Sequence, residues 1–154
     1  MTIAVDIPGR GALRLEHLLL DVNGTLTQRG KLVDGVVERI ARLRGALDVR
    51  LLSADTFGSL AEVAATLGTE AERVVSGDDK AAVAAALGLE RCAAIGNGVN
   101  DAALLASVAL GIAVIGGEGA SGVAVRAADI VCASVVEALD LLLDDRALVA
   151  TLRS

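Results

Sequence analysis

Aromatic residues are almost absent from this 154-residue chain: it has no Trp, no Tyr and a single Phe, at position 57. Proteins that hold single-stranded nucleic acid or RNA stack its bases on aromatic rings, so that class is excluded. Positive charge is also scarce. Lys+Arg number 14 against Asp+Glu 20, a net charge of −6, which leaves no basic footprint for a phosphate backbone. The one histidine, His17, rules out a multi-histidine zinc site or a His-based catalytic triad; at the entry to an apolar run it reads as structural. Cys92 and Cys132 lie in separate apolar runs (RCAAIG, DIVCAS) without zinc-ligand or redox-pair spacing, and read as buried, reduced thiols. The longest uncharged run, Ala102 to Gly117, is broken by Gly111 and falls short of the about 20 residues of a spanning helix. The opening MTIAVDIPGR carries an acid at position 6 and no basic segment before an apolar core, unlike a signal peptide. The expectation is one soluble, cytoplasmic domain over residues 1–154, with neither a membrane nor a nucleic-acid partner.

What the chain does have is aliphatic mass. It is 54% hydrophobic, carried by Ala, Val, Leu and Ile, which excludes disorder. Short apolar runs alternate with stretches of helical period. Leu18–Asp21, Val49–Ser53, Arg73–Ser76, Arg91–Ile95, Gly111–Ile115 and Ile130–Cys132 read as strands. Helices are expected over Val36–Leu47, Ser59–Leu67, Asp79–Leu87, Asp101–Ala109, Val123–Ala127, Val135–Leu143 and Arg146–Leu152, with Gly68 and Gly88 as stops. Thr2–Leu15 reads as a hairpin around PGRG, an extension over residues 1–16, and Thr27–Gly35 as a second hairpin with Arg29-Gly30 at its turn. The alternation predicts an α/β, Rossmann-like three-layer sandwich: a parallel sheet of about five or six strands with helices on both faces. Neither Thr27–Val49 nor Asp55–Val75 has room for a cap domain.

Ligands of such sheets sit at the carboxyl ends of the strands, so the residues just after each strand are the informative ones. They are Asp21-Val22-Asn23-Gly24-Thr25, then Ser53-Ala54-Asp55, then Lys80 at the start of the helix after the third strand, then Gly96-Asn97-Gly98-Val99-Asn100-Asp101. A carboxylate at the tip of a buried strand can be a nucleophile, a metal ligand or a cap. The turn after Asp21 can aim backbone N–H groups at an anion. Ser53 adds a hydroxyl donor and Lys80 a full positive charge. Asp21 and Asp101, with the amide oxygen of Asn97, are hard donors suited to Mg²⁺. Lysine and Mg²⁺ together neutralise a phosphoryl group in transfer, and a carboxylate nucleophile would form an aspartyl-phosphate. Asp55 reads as a cap for the following helix. A Gly-x-Gly-x-x-Gly run at Gly117–Gly122 also suggests dinucleotide binding, but it follows the fifth strand and not the first, and no clear ribose-binding residue follows it.

DVNGTLT (21–27), Ser53, Lys80 and GNGVNDAALL (96–105) resemble, in order and spacing, the four motifs of the haloacid-dehalogenase-like superfamily. Within it the chain is most similar to the phosphorylation domain of P-type ATPases, whose motifs are DKTGTLT, TGD and GDGVNDAPAL followed by a glycine-rich stretch ending AADIV. Here SAD (53–55) and GGEGASGVAVRAADIV (116–131) stand in those places. It is especially similar to the soluble P-type ATPase-like proteins, over residues 18 to 135.

The resemblance implies that Asp21 is the phosphorylated nucleophile. It assigns phosphate binding to Asn23, Gly24, Ser53, Ala54 and Lys80, and Mg²⁺ to Asp21, the Asn23 carbonyl, Asn97 and Asp101. It makes the Gly117–Gly122 run a connecting loop. The substrate would be a small phosphorylated molecule. Capless relatives close their sites with a neighbouring subunit, so a homo-oligomer is expected, with the Thr27–Gly35 hairpin reaching across. Two departures stand out: Asn23 replaces the usual acid/base aspartate, and Asn97 the first aspartate of the last motif. Turnover is therefore expected to be slow, and a silent phosphate-binding or regulatory protein is the alternative. A soluble ATPase-like protein is a third reading, against which stands the lack of room between Asn23 and Lys80 for a nucleotide domain.

Overall fold

A parallel sheet forms where buried apolar strands are joined by helices that cover both of its faces. The computed structural model, which describes residues 2–55 and 59–154, shows this arrangement; Phe57 lies outside the described residues. A hairpin, β1 (Ile3–Ile7) and β2 (Gly11–Leu15), precedes β3 (His17–Asp21). Two short strands follow, β4 (Thr27–Gln28) and β5 (Lys31–Leu32), then α1 (Val36–Leu43), β6 (Asp48–Ser53), α2 (Ser59–Leu67), β7 (Glu70–Arg73) and α3 (Gly77–Leu87). The chain continues through β8 (Cys92–Gly96), α4 (Ala102–Ser107), β9 (Leu110–Val114), α5 (Gly122–Ala127), β10 (Ile130–Cys132), α6 (Val135–Leu142) and α7 (Asp145–Leu152).

The main sheet has six strands in the order β10-β9-β8-β3-β6-β7, and every pair in it is parallel. Successive residues of a strand point to opposite faces, and here both faces are apolar. Leu18, Leu20, Leu51, Ile95 and Ile112 face a core shared with α1, α2, α6, α7 and the β1–β2 hairpin. Leu19, Leu52, Ala94 and Ala113 face a second core beneath α3, α4 and α5. The central strand, β3, lies between β6 and β8, and the chain leaves it on one side and returns on the other. That reversal opens a crevice at the carboxyl end of β3, where Asp21 stands.

Most element boundaries shift by one or two residues from expectation, and three differences stand out. The third sheet strand is Glu70–Arg73, not Arg73–Ser76. It is an edge strand, exposed along its whole length, and its charged EAER sequence suits an edge that must not pair with another chain. The apolar pair that suggested a strand splits: Val74 is buried and Val75 is exposed. Helix α1 stops at Leu43 and not at Leu47. The expected Asp101–Ala109 helix begins as a 3-10 turn over Val99–Asp101 and gives way at Leu110 to β9.

Between β3 and α1 the described elements are only β4 and β5, an antiparallel hairpin pairing Thr27 with Leu32 and Gln28 with Lys31. Its turn is Arg29-Gly30, as expected, with φ of 50° and 82°. No helix among the described residues is long and apolar enough to cross a membrane. Cys92 is buried and Cys132 half-buried, both free; burial pushes the Cys92 thiol up to about 11.

Candidate active site

Strand β3 ends on a carboxylate because the DVNGT turn that follows folds back on itself. The Val22 carbonyl accepts from the N–H groups of Thr25 (3.2 Å) and Thr27 (3.0 Å), and from the Thr27 hydroxyl at 3.3 Å. Gly24 makes the turn possible. Its φ is +78°, and a β-carbon there would lie 2.5 Å from Asn97 Nδ2. The turn therefore packs directly on the loop after β8.

On the opposite side, α3 is fixed by a capping box between Ser76 and Asp79, the reciprocal pairing that satisfies a helix's first N–H groups. Its first residue, Gly77, lies so close to the Asn100 backbone that a β-carbon would approach the Asn100 carbonyl oxygen to 2.7 Å. This contact carries Lys80 into the crevice. Lys80, Asp21 and Asp101 are 1%, 7% and 0% exposed. The Lys80 ammonium donates to Asp21 Oδ1 at 2.9 Å and to Asp101 Oδ1 at 2.7 Å. The other Asp101 oxygen accepts from the backbone N–H groups of Asn97 (3.0 Å) and Gly98 (2.9 Å). Thus the strand-end argument brings three of its residues into one buried cluster.

Two carboxylates around one ammonium leave one excess negative charge out of water, and the titration behaviour follows. Burial, and then the Asp101 charge, push Asp21 from the usual 3.8 up to about 6, against the opposing pull of Lys80 and Thr25. For Lys80, burial disfavours the charged form, but the two carboxylates outweigh it and hold its pKa above the ordinary lysine value. Lys80 is therefore a fixed positive charge, and Asp21 is a carboxyl whose ionisation burial opposes.

Strand register places Ser53 beside Asp21, since Asp21 pairs with Leu52. Ser53 is buried, and its Oγ accepts from the Asp55 N–H at 3.1 Å, which leaves the hydroxyl proton to donate. Ala54 is exposed at the crevice and Asn23 is exposed at the turn. Asp55 accepts from the Leu60 N–H and the Ser59 hydroxyl, the helix-capping contacts expected of it. His17 is apart from the site, with its ring Nδ1 3.1 Å from Asp48 Oδ2.

Two contributors go beyond the sequence reading, which gave Thr25 no role and the Gly117–Gly122 run only that of a connecting loop. Thr25, buried, shares its hydroxyl between Asp21 Oδ2 (3.0 Å) and Asn97 Oδ1 (3.3 Å). The glycine-rich segment after β9 is tied to the site: Asn97 Nδ2 donates to the Gly119 carbonyl at 3.1 Å, and the Asn97 carbonyl accepts from the Ser121 N–H at 2.8 Å. Thr25 lies in the DVNGT string, but its side-chain direction depends on the turn geometry. The Gly117–Gly122 run thus braces the crevice.

Among the described residues, no three His, Cys, Asp or Glu side chains form a metal-binding group. The oxygen donors that the contacts bring together are the carboxylates of Asp21 and Asp101, joined through Lys80, and the Asn97 amide oxygen, joined to Asp21 through the Thr25 hydroxyl. Mg²⁺ takes one or two carboxylates, retains water and completes its shell with substrate phosphate. Hard oxygen donors beside an excess negative charge fit such a cation.

The comparisons with known proteins bear on the family and the fold. The profile of haloacid dehalogenase-like hydrolases matches residues 9–108. The uncharacterized protein MJ0073 of Methanocaldococcus jannaschii is 52% identical over 60 residues, which are 39% of this chain and 64% of that protein. The match therefore spans a little under two thirds of that relative's length. Among solved structures, 3-deoxy-D-manno-octulosonate 8-phosphate phosphatase from Moraxella catarrhalis, in complex with magnesium, phosphate and the sugar acid, shares the fold. Its TM-score is 0.65 at 19% identity, over 90% of this chain and 94% of that one. A zinc-transporting PIB-type ATPase gives a TM-score of 0.66 at 26% identity, over 79% of this chain but only 20% of the transporter. The fold and the profile, spanning all four motifs but the glycine-rich tail, lead to one statement: this chain belongs to the haloacid dehalogenase-like hydrolase family.

Proposed function

We propose that this protein is a slow phosphohydrolase that passes the phosphoryl group of a small phosphorylated molecule to Asp21 and then to water. The observation that carries this reading is the buried cluster in which Lys80 contacts Asp21 at 2.9 Å and Asp101 at 2.7 Å. A carboxylate so placed, beside a fixed cation and at a sheet switch point, is equipped for attack on phosphorus.

An Asp21 oxygen attacks phosphorus while the bond from phosphorus to the leaving oxygen breaks. Lys80, the Ser53 hydroxyl and the backbone amides of Asn23, Gly24 and Ala54 hold the phosphoryl oxygens. Asp101 holds Lys80 and the 97–98 backbone in place. Water then attacks phosphorus, the bond to Asp21 breaks and phosphate leaves. Mg²⁺, held by Asp21, the Asn23 carbonyl and Asn97 with Asp101 facing it, would neutralise charge on the phosphoryl group. The leaving oxygen needs a proton and the attacking water must lose one. The Asn23 amide can do neither, which is the origin of slow turnover. Likeness to a phosphatase fold and to the phosphorylated domain of a transporter supports this chemistry. An ATPase-like role has less support, since the described elements between Asp21 and Lys80 are β4 to β7 with α1 and α2 and include no nucleotide domain.

A second reading, a phosphate-binding protein without turnover, is favoured by one observation. Asn97 donates to Gly119 and accepts from Thr25, a pairing that suits an amide and not a carboxylate. Steady-state assays with Mg²⁺ separate the two. Asn23→Asp adds an acid/base group at an exposed position and should raise phosphatase turnover at least tenfold, a conservative share of the about 10²–10⁴ such a group contributes. Asp21→Asn should abolish it. Equal, negligible rates in wild type and Asn23→Asp across a broad panel of phosphate esters would favour the second reading.

A further inference from the structure

Asparagine is rare in this chain: three residues, Asn23, Asn97 and Asn100. Two of them, Asn23 and Asn97, stand in the loops that follow β3 and β8, and each of those two precedes a glycine. An Asn-Gly pair is the sequence at which an amide side chain most readily becomes an acid. The next backbone nitrogen attacks the side-chain carbonyl carbon, and glycine, having no β-carbon, leaves that nitrogen unscreened. The fold treats the two pairs differently.

Asn97 is held at both reacting ends. Its Nδ2 donates to the Gly119 carbonyl at 3.1 Å, and its Oδ1 accepts from the Thr25 hydroxyl at 3.3 Å. The nitrogen that would attack, that of Gly98, donates its hydrogen to Asp101 Oδ2 at 2.9 Å. A carboxylate accepting that hydrogen opposes its loss, and the attack requires the nitrogen to shed it. Asn23 is exposed, and its side chain makes no hydrogen bond among the described residues. The amide of Asn23 is therefore free to turn toward Gly24, and water reaches it.

We propose that Asn23 is a self-modification site, converted to aspartate by attack of the Gly24 nitrogen while Asn97 is spared, so that the protein gains turnover as it ages. A bond forms from the Gly24 nitrogen to Asn23 Cγ, the bond from Cγ to Nδ2 breaks, and ammonia leaves with the hydrogen that Gly24 gave up. Water then opens the cyclic imide. Addition at the side-chain carbonyl restores the ordinary backbone and leaves aspartate; addition at the main-chain carbonyl leaves isoaspartate, which lengthens the backbone by one carbon. Water enters, ammonia departs, and nothing is oxidised or reduced. Aspartate is the product that keeps the turn in which the Thr25 and Thr27 N–H groups donate to Val22. The gain in turnover rests on the phosphohydrolase reading, in which the Asn23 amide lacks the proton chemistry that a carboxyl at this exposed position supplies. The conversion itself does not depend on that reading.

The test ages the freshly purified full chain in mildly alkaline buffer, folded and in urea. Peptides are mapped by tandem mass spectrometry, with aspartyl and isoaspartyl forms separated by chromatography. In urea the two pairs should convert at similar rates, because sequence alone then acts. In the folded protein Asn23 should convert about tenfold faster than Asn97 or more, since the bonds that hold Asn97 and Gly98 must break first, and aspartate should be among the products at Asn23. Equal rates in the folded protein, faster conversion at Asn97, or isoaspartate alone at Asn23 overturns the proposal. Turnover of a phosphate ester with Mg²⁺ is followed on the same samples. It should rise with the aspartate fraction toward the value of Asn23→Asp, while Asn23→Gln, whose longer side chain closes its ring far more slowly, should neither convert nor gain. An active Asn23→Asp beside an aged wild type that converts without gaining turnover also overturns the proposal. An Asn23→Asp as inactive as fresh wild type fails the phosphohydrolase reading instead, and the mapping alone then decides the modification.

Discussion

The raised pKa of Asp21 is a statement about stability. A carboxyl that ionises at 3.8 when unfolded and at about 6 when folded binds its proton more tightly in the folded protein. Its contribution to stability is fully present below pH 3.8 and is lost as the pH rises through 6. The displacement is about two pH units at about 1.4 kcal/mol each, so ionised Asp21 costs the folded state about 3 kcal/mol at pH 7. Asp21→Asn is close in shape, keeps an acceptor for Lys80 and carries no charge. It should therefore make the metal-free protein more stable at pH 7, by up to about 3 kcal/mol, with the gain fading toward zero near pH 4. The assay is urea unfolding of wild type and variant in the presence of a chelator at both pH values. Adding Mg²⁺ should narrow the gap at pH 7, because a ligand of the ionised native form stabilises wild type. The opposite result would refute the reasoning. If Lys80–Asp21 is a net stabilising pair, its loss should cost about 3–5 kcal/mol at pH 7.

Three further outcomes follow from the same cluster and its surroundings. Lys80→Ala removes the one cation between Asp21 and Asp101, so inorganic phosphate affinity should fall at least tenfold, and Asp21 should titrate at still higher pH; unchanged phosphate affinity in calorimetry would show Lys80 to be no part of the site. Asn97→Asp places a carboxylate against the Gly119 carbonyl, so it should lower the melting temperature without metal while tightening Mg²⁺ binding, and a variant with neither change would contradict the placement of that side chain. The open crevice and the exposed hairpin beside it predict a homo-oligomer, which sedimentation at high protein concentration would refute by showing a monomer throughout.

The buried cluster of Asp21, Lys80 and Asp101 was legible in the sequence as a candidate site because its residues sit where strands end. Asp21, Ser53 and Asn97 each follow an apolar run, and burial of those runs on both faces is what a parallel sheet requires. Lys80 was legible for its charge, although its depth is set by the contact of Gly77 with the Asn100 backbone. What the sequence hid has particular causes. Strand β7 is a charged edge with no apolar pattern, so the neighbouring Val74-Val75 drew the expectation three residues along. The hydroxyl of Thr25 is aimed by the left-handed turn at Gly24, and the pinning of Asn97 by Gly119 joins residues far apart in the chain.

The central claim is that Asp21 accepts a phosphoryl group. Wild type and Asp21→Asn should be incubated with Mg²⁺ and a small phosphoryl donor such as acetyl phosphate, quenched in acid and weighed intact by mass spectrometry. The account predicts wild type heavier by one phosphoryl group, the adduct mapping to the peptide that contains Asp21, and no adduct on the variant. A wild type that stays unmodified while its phosphate site is shown to be filled, or an adduct that persists in Asp21→Asn, would contradict it.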